Sequence, residues 1–326
     1  MSAAKDSDAR FVRRVPKAAT RRKAISLADV RTGLRLIASL FVSWLLPQRS
    51  WRFVARHGSG VAGVLAGKTT KPVEARMTRA LGANSGDAGT RFAADLRGAR
   101  YEVALQCLRG YRLGGWNPKI TVTGREHIDA ALRRGKGCVL WVAHFVFAPN
   151  VAKVGLHELG FRVSHLSRPD HGFSSTRFGI RCLNPVRRVF EDRYLKERIV
   201  FDRGHPAPAL LRARKAVAGN GIVSFTAGAW EGSSLVESGF FKSRITLAMG
   251  PVWLARAGGA VLIPVFAMRT AHDEFVVEVD PPIDVEAGSS EEECMVAAAT
   301  DFLRRHEQRV LKYPGQWRGW SSLRDD

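Results

Sequence analysis

The stretch GCVLWVAHFVFAPN, residues 137–150, leads an apolar run into one histidine, His144. A histidine at the end of a buried strand is placed to act as a general base, because its ordinary pKa lies near neutrality. The competing reading is a hydrogen-bonded histidine in the core beside Phe145 and Phe147. A catalytic base needs a group that holds its ring in one tautomer. The next carboxylate in the chain is Glu158, fourteen residues on. Two more stretches carry chemistry. The tract RPDHGFSSTRFGIRCLNPVRRVFEDRYLKERIVFDRG sets Arg168, Arg177, Arg181, Arg187, Arg188, Arg193, Lys196, Arg198 and Arg203 within 36 positions. Singly, each is a solvated surface charge; together they make a surface for phosphates or an acidic protein. The segment AWEGSSLVESGFFKSR, residues 229–244, brings Glu231 and Lys242 after the run GIVSFT. It reads equally as an ordinary strand-to-helix loop and as a substrate loop. No GxxxxGK[ST] or GxGxxG is present, so it is not a nucleotide-phosphate loop.

These side chains need a scaffold. Strands are expected at KITVTG, CVLWVAHF, FRVSHL, GIVSFT, AVLIPVF and FVVEV, each rich in Val, Ile or Phe and bounded by Gly, Pro or a charge. Helical stretches alternate with them: HIDAALRRG, NVAKVGLHELG, PALLRARKAVAGNG and TLAMGPVWLARAGG. Several end in Gly, the usual residue past a helix C-terminus. This rhythm predicts an α/β fold, a mainly parallel sheet flanked by helices. Ligands bind such sheets at the carboxyl ends of strands, where His144 sits. Upstream, residues 89–109 fit an amphipathic helix, and 61–88 a loop-and-helix connection.

The chain has 326 residues with 51 Lys and Arg against 30 acids, a net charge of +21. Such a field draws anionic partners: nucleic acid, anionic lipid or an acidic carrier protein. No RNP-like, helix-turn-helix or zinc pattern accompanies the charge, which makes nucleic acid unlikely as the partner on these residues. Cys107, Cys138, Cys182 and Cys294 lie far apart and form no CxxC pair or zinc cluster. They read as reduced, mostly buried thiols. Residues 1–32 are polar and basic, an expected loose tail without a signal-peptide pattern. The run GLRLIASLFVSWLLP, residues 33–47, is too short to span a membrane, which takes about 20 apolar residues. On a helix its Arg35, Ser39 and Ser43 make one narrow polar stripe. The next segment sets Arg49, Arg52 and Arg56 on one face, with Trp51, Phe53 and Val54 largely off it. The division is thus a tail at 1–32, a helical hairpin and connection at 33–88, and an α/β domain at 89–326. The hairpin either covers the core or lies in a membrane interface, with Trp at headgroup depth; the basic net charge favours the second.

The order of these pieces resembles the lipid A biosynthesis acyltransferases, the lauroyl and myristoyl transferases within the wider lysophospholipid acyltransferase superfamily. VLWVAHF resembles the family's strand-plus-histidine block, and HLSRP the segment that follows its second strand. SGFFKSRITLAMGPVWLARAGGAVLIPVF resembles the stretch with a Phe–Phe pair, a Gly–Pro helix and a Pro-containing strand. KYPGQWRGW resembles the closing Pro–x–Gln–Trp signature. The resemblance runs from the hairpin to the C-terminus. It implies a monotopic enzyme of lipopolysaccharide synthesis on the cytoplasmic face of the inner membrane. That enzyme moves an acyl chain from acyl carrier protein or coenzyme A to a hydroxyl of an anionic (glyco)lipid. It implies His144 as the base, Arg168, Arg177, Arg181 and Lys242 as contacts to phosphate or carrier, and no metal or other cofactor.

The family's carboxylate, five residues after the histidine, falls here on Pro149. Its acid–glutamine pair after the later strand is replaced by Thr226–Ala227. Three substitutes are open. Asn150 can hold the ring through its side-chain oxygen, as Asn does in Cys–His–Asn proteases. Glu231 can reach across the strand ends; WEGSS loosely resembles the Glu–Gly block of the glycerolipid acyltransferases, with Ser where a basic residue is expected. Asp170, Glu191 or Asp192 can come near. With none of these, a lipid- or carrier-binding protein remains.

Overall fold

The computed structural model describes residues 8–15, 22–55, 71–82, 87–202, 204–228 and 232–324. In chain order the strands are β1 (Arg10–Arg13), β2 (Lys119–Thr123), β3 (Cys138–Val142), β4 (Val163–Ser167), β5 (Glu197–Val200), β6 (Ile222–Thr226), β7 (Ser234–Phe240), β8 (Ser243–Ala248), β9 (Val261–Ala271) and β10 (Glu274–Val279). The helices are α1 (Leu27–Leu45), α2 (Lys71–Leu81), α3 (Ala88–Arg109), α4 (Arg125–Arg133), α5 (Ala148–Glu158), α6 (Pro185–Asp192), α7 (Ala207–Ala218), α8 (Gly250–Gly258) and α9 (Glu291–Lys312).

Seven strands form one sheet in the order β2-β10-β9-β3-β6-β4-β5. Every neighbouring pair is parallel except β9 and β10, whose short hairpin turns the chain back. The α/β class expected from the strand–helix rhythm is therefore the architecture found. Strand β3 lies between β9 and β6, and all five of its residues are buried. That position explains its unbroken apolar run: a parallel strand covered on both faces has no solvent side to alternate with.

Several stretches differ from the sequence expectation. Residues 10–13, inside the basic tail, form β1 and pair antiparallel with β7. The segment expected as a loop at 229–244 carries β7 and the start of β8, a hairpin whose Leu235, Val236, Phe240 and Ile245 are buried. The stretch TLAMGPVWLARAGG divides: its first residues finish β8, and the helix begins only at Gly250, with Pro251 in its first turn.

Helix α1 starts at Leu27, six residues before the apolar run, because Ser26 and Asp29 form a capping box. Its orientation inverts the usual amphipathic rule. Ser39 and Ser43 are buried, and the Ser43 hydroxyl donates to the Leu105 carbonyl of α3 at 3.0 Å. Leu27, Val30, Leu34, Ile37, Phe41, Trp44 and Leu45 are exposed along one face. Trp51 does not sit outward; it is buried, with the Arg109 guanidinium 5.0 Å from its ring centroid. Of the expected second hairpin arm, residues 51–55 are helical and Arg56 lies outside the described residues. Among the described residues no helix is long and apolar enough to cross a membrane.

Candidate active site at the carboxyl end of the sheet

His144 stands two residues past the end of β3. The Phe145 N–H donates to the Ala143 carbonyl at 2.8 Å, closing a three-residue turn centred on His144. The C-terminal segment fixes that turn. The Arg318 N–H donates to the His144 carbonyl at 3.1 Å, and the Val146 N–H to the Gln316 carbonyl at 2.8 Å. The Gln316 side chain in turn pairs with both backbone groups of Arg269 on β9, each at 2.8 Å. The residues of KYPGQWRGW thus clamp the histidine turn to the neighbouring strand, and they deliver Arg318 beside the ring.

The turn opens on a cavity of about 450 Å³ that wraps the carboxyl ends of β3, β4 and β6. Strand alternation gives it two unlike lobes. On one side, His165 and Ser167 of β4 and Ser224 and Thr226 of β6 line the wall with Lys153 of α5, His171 and Arg187. On the other, Leu166 and Phe225 line it with Phe201, Leu210, Met249, Pro251 and Trp253. We call the side with these polar groups the polar lobe and the other the apolar lobe; His144 lines the same cavity. A smaller cavity of about 260 Å³, lined by Arg14, Ile245, Leu247, Phe302, His306 and Trp317, also reaches His144.

The polar lobe is organised around Glu191, which is fully buried. Its carboxylate accepts from Lys153 at 2.6 Å, Arg187 at 2.7 Å, Arg198 at 2.9 Å and the His171 ring at 3.0 Å. Burial alone would raise this carboxyl, but Lys153, His171 and Arg187 outweigh it and hold the group well below the usual carboxylate range. Burial pulls the Lys153 ammonium down to about 8 against the pull of Glu191. It takes His171 to about 4. Behind these, the His165 ring meets the Ser224 hydroxyl at 2.9 Å.

The His144 pKa lies well below the ordinary imidazole value, first through burial and then through Arg318, Arg100, Arg187 and His306. The ring is therefore neutral at physiological pH, the state a general base requires. Pro149 occupies the first turn of α5 and lines the cavity, where its fixed φ suits a helix start. Asn150 lies one position further, about 100° around the helix. Its amide donates to Gln106 at 3.1 Å, and its oxygen faces the Cys107 thiol at 3.8 Å. The structure thus commits the Asn150 side chain to α3, not to the histidine.

The other acids considered are also engaged. Glu191 is locked in its cluster, Asp192 accepts from Arg198 at 2.7 Å, and Asp170 lies 3.3 Å from Arg168. Glu231 lies outside the described residues. Arg168 is exposed and lines the cavity mouth. Arg177, Arg181 and Lys242 are exposed but line neither cavity. Lys242 sits in the turn between β7 and β8. Cys182 is exposed, unlike the other three cysteines. Sequence reasoning passed over Arg318 and singled Arg187 out only as one member of a basic tract. No titration or spacing signal separates these two from their neighbours until the C-terminal segment and α6 are packed against β3.

No family model matches the sequence, and no curated protein matches it. Among solved structures, the chain is similar to the 1-acyl-sn-glycerophosphate (LPA) acyltransferase PlsC from Thermotoga maritima. The TM-score is 0.35 and the identity 14%, over 87% of this chain and 99% of that one. Likeness at that level leaves family and activity open, and the geometry of the cavity is what bears on function.

Proposed function

We propose that this protein transfers a fatty acyl group from a thioester donor to a hydroxyl of a membrane lipid, with His144 as the general base. One observation carries this reading: a neutral histidine, clamped at the carboxyl end of the central strand, lines one cavity with both apolar and cationic walls. The apolar lobe suits an acyl chain and the cationic lobe an anionic headgroup. The His144 ring takes the proton of the acceptor hydroxyl, and the alkoxide oxygen attacks the thioester carbonyl. The tetrahedral intermediate collapses, the C–S bond breaks, and the leaving thiolate recovers the proton from the imidazolium. Within this reading the resemblance to the lipid A acyltransferases names a (glyco)lipid acceptor and acyl carrier protein or coenzyme A as donor.

Glu231 is the remaining candidate for orienting the ring. Gly228 before it and Gly232 after it both line the cavity. Membrane attachment at the cytoplasmic face of the inner membrane is proposed on the inverted helix α1. A helix that buries serines and exposes Leu34, Ile37 and Phe41 is suited to an apolar medium. Exposed Arg31, Arg35, Arg49, Arg52, Arg177 and Arg181 fit lipid phosphates around it.

A second reading has its own observation. Pro149 fills the position of the expected carboxylate, and Asn150 is spent on α3, so the fold also suits a protein that binds lipid or acyl carrier without turnover. Purified protein incubated with acyl carrier protein or coenzyme A thioesters and lysophospholipid or lipid A precursors separates the two. Acylated acceptor by mass spectrometry supports the enzyme. Bound but unchanged lipid, with every donor intact, supports the binder.

A further inference from the structure

The smaller cavity is lined by His144 and, from α9, by Phe302 and His306. His306 is 3% exposed, and its Nδ1 has no hydrogen-bond partner among the described residues. The rings of Phe145, Phe240, Phe266, Phe302 and Trp317 surround it, with centroids 5.4–6.0 Å from its own. A phenylalanine would fill such a cage with no polar atom to satisfy. A buried imidazole there is costly unless the cavity supplies its partner. Burial, then Arg309, takes its pKa down to about 3, so the ring is neutral and keeps one donor and one acceptor nitrogen. Phe145, one wall of the cage, follows His144 in the chain and is closed into the same turn. The cavity's volume of about 260 Å³ is ample for several waters, and Arg14, Thr246, Ser322 and Arg324 line it as further polar groups.

We propose that His306 is a positioning residue for His144, acting through water held in the smaller cavity. The inference rests on the acyl-transfer reading and deepens it. A neutral histidine base needs its acceptor nitrogen toward the substrate hydroxyl and its N–H held on the other side. His144 lines both cavities. In this arrangement the larger takes the substrate. The smaller holds a water that accepts the His144 N–H and donates to the acceptor nitrogen of His306. Pro149 stands where a carboxylate was expected and the Asn150 amide donates to Gln106, so this link takes over the task of fixing the tautomer. It does so without a charge, which leaves the buried His144 ring neutral.

Long-range proton–nitrogen correlation spectra read the tautomer of His144 directly. The full chain is labelled with heavy-nitrogen histidine and held in neutral detergent, and His144→Gln assigns the signal. The spectra need no turnover, so their result is separate from whether acyl transfer is found. Wild type is expected to hold a single His144 tautomer. His306→Phe, which keeps the cage filled, is expected to give a mixture of both. His306→Gln, which returns a side-chain acceptor, is expected to restore the single form. Where transfer is measured, His306→Phe should lower kcat about tenfold to a hundredfold with KM little changed. Mixed tautomers in wild type, or one tautomer in both wild type and His306→Phe, overturn the proposal. So does a ring freed by Glu231→Gln but not by His306→Phe. If His306→Phe fails to fold, a crystal structure of wild type decides. A water within about 3.2 Å of both rings supports the link, and a smaller cavity without water overturns it.

Discussion

The two lobes of the cavity come from the same strand ends, and they are built by opposite means. The polar lobe is held by charge: one buried carboxylate, Glu191, ties α5, α6 and β5 together through Lys153, Arg187 and Arg198. The apolar lobe is held by shape: Phe225, Leu210, Met249 and Trp253 line it. A charge-built wall is stiff and specific, because each member left alone is costly. A shape-built wall adjusts by degrees, because each methylene added or removed changes little. The difference teaches which half should read the headgroup and which should measure the chain.

The largest effect is expected from breaking the polar lobe. Glu191→Gln leaves Lys153, Arg187 and Arg198 without their carboxylate and should destabilise the fold by about 3–5 kcal/mol, read from urea unfolding. A loss under about 1 kcal/mol would mean that the cluster is not what holds this wall. The apolar lobe should answer more gently. Trp253→Ala enlarges it, and the ratio of kcat/KM for longer over shorter acyl donors should rise about tenfold, with the fold intact. An unchanged chain preference would move the chain out of this lobe.

At His144, the pH profile sharpens the comparison. Burial and the nearby arginines depress the His144 pKa, so the neutral base persists as pH falls past 6.5. The acid limb of kcat/KM should lie below that value. Removing a neighbouring positive charge makes protonation easier, so Arg318→Gln should move the limb upward, toward 6.5. A limb that stays in place in the variant would separate Arg318 from the base. The smallest effect is expected away from the cavity. Phe41→Glu on the exposed face of α1 should cut binding to anionic vesicles in a flotation assay while leaving the melting temperature within about two degrees.

How much of this was legible beforehand follows from where the information lies. Six strands of the large sheet were readable: the buried central ones as continuous apolar runs, and β2 and β10 as alternating ones with one covered face. Strand β5 was hidden, since ERIV lies inside the basic tract and its charges mask a four-residue strand. The β7–β8 hairpin was hidden by the turn-forming residues around it, WEGSS before and the Gly239 within. His144 was legible from its place at a strand end. The fate of Asn150 was not, because a one-residue step on α5 turns a side chain from the cavity toward α3. Nor was the role of Arg318, which comes from the C-terminal segment folding back onto the turn after β3. Local pattern told which elements form. Which buried charges find partners is decided only by packing distant segments together.

The central claim is that His144 removes the acceptor's proton in the cavity that the two lobes share. The most direct measurement is single-turnover acyl transfer by purified wild type and His144→Gln, with acceptor affinity measured in parallel. The account predicts transfer slowed by about 10²–10⁴ with acceptor binding unchanged, the loss of a general base and nothing else. Transfer by His144→Gln at the wild-type rate would contradict it.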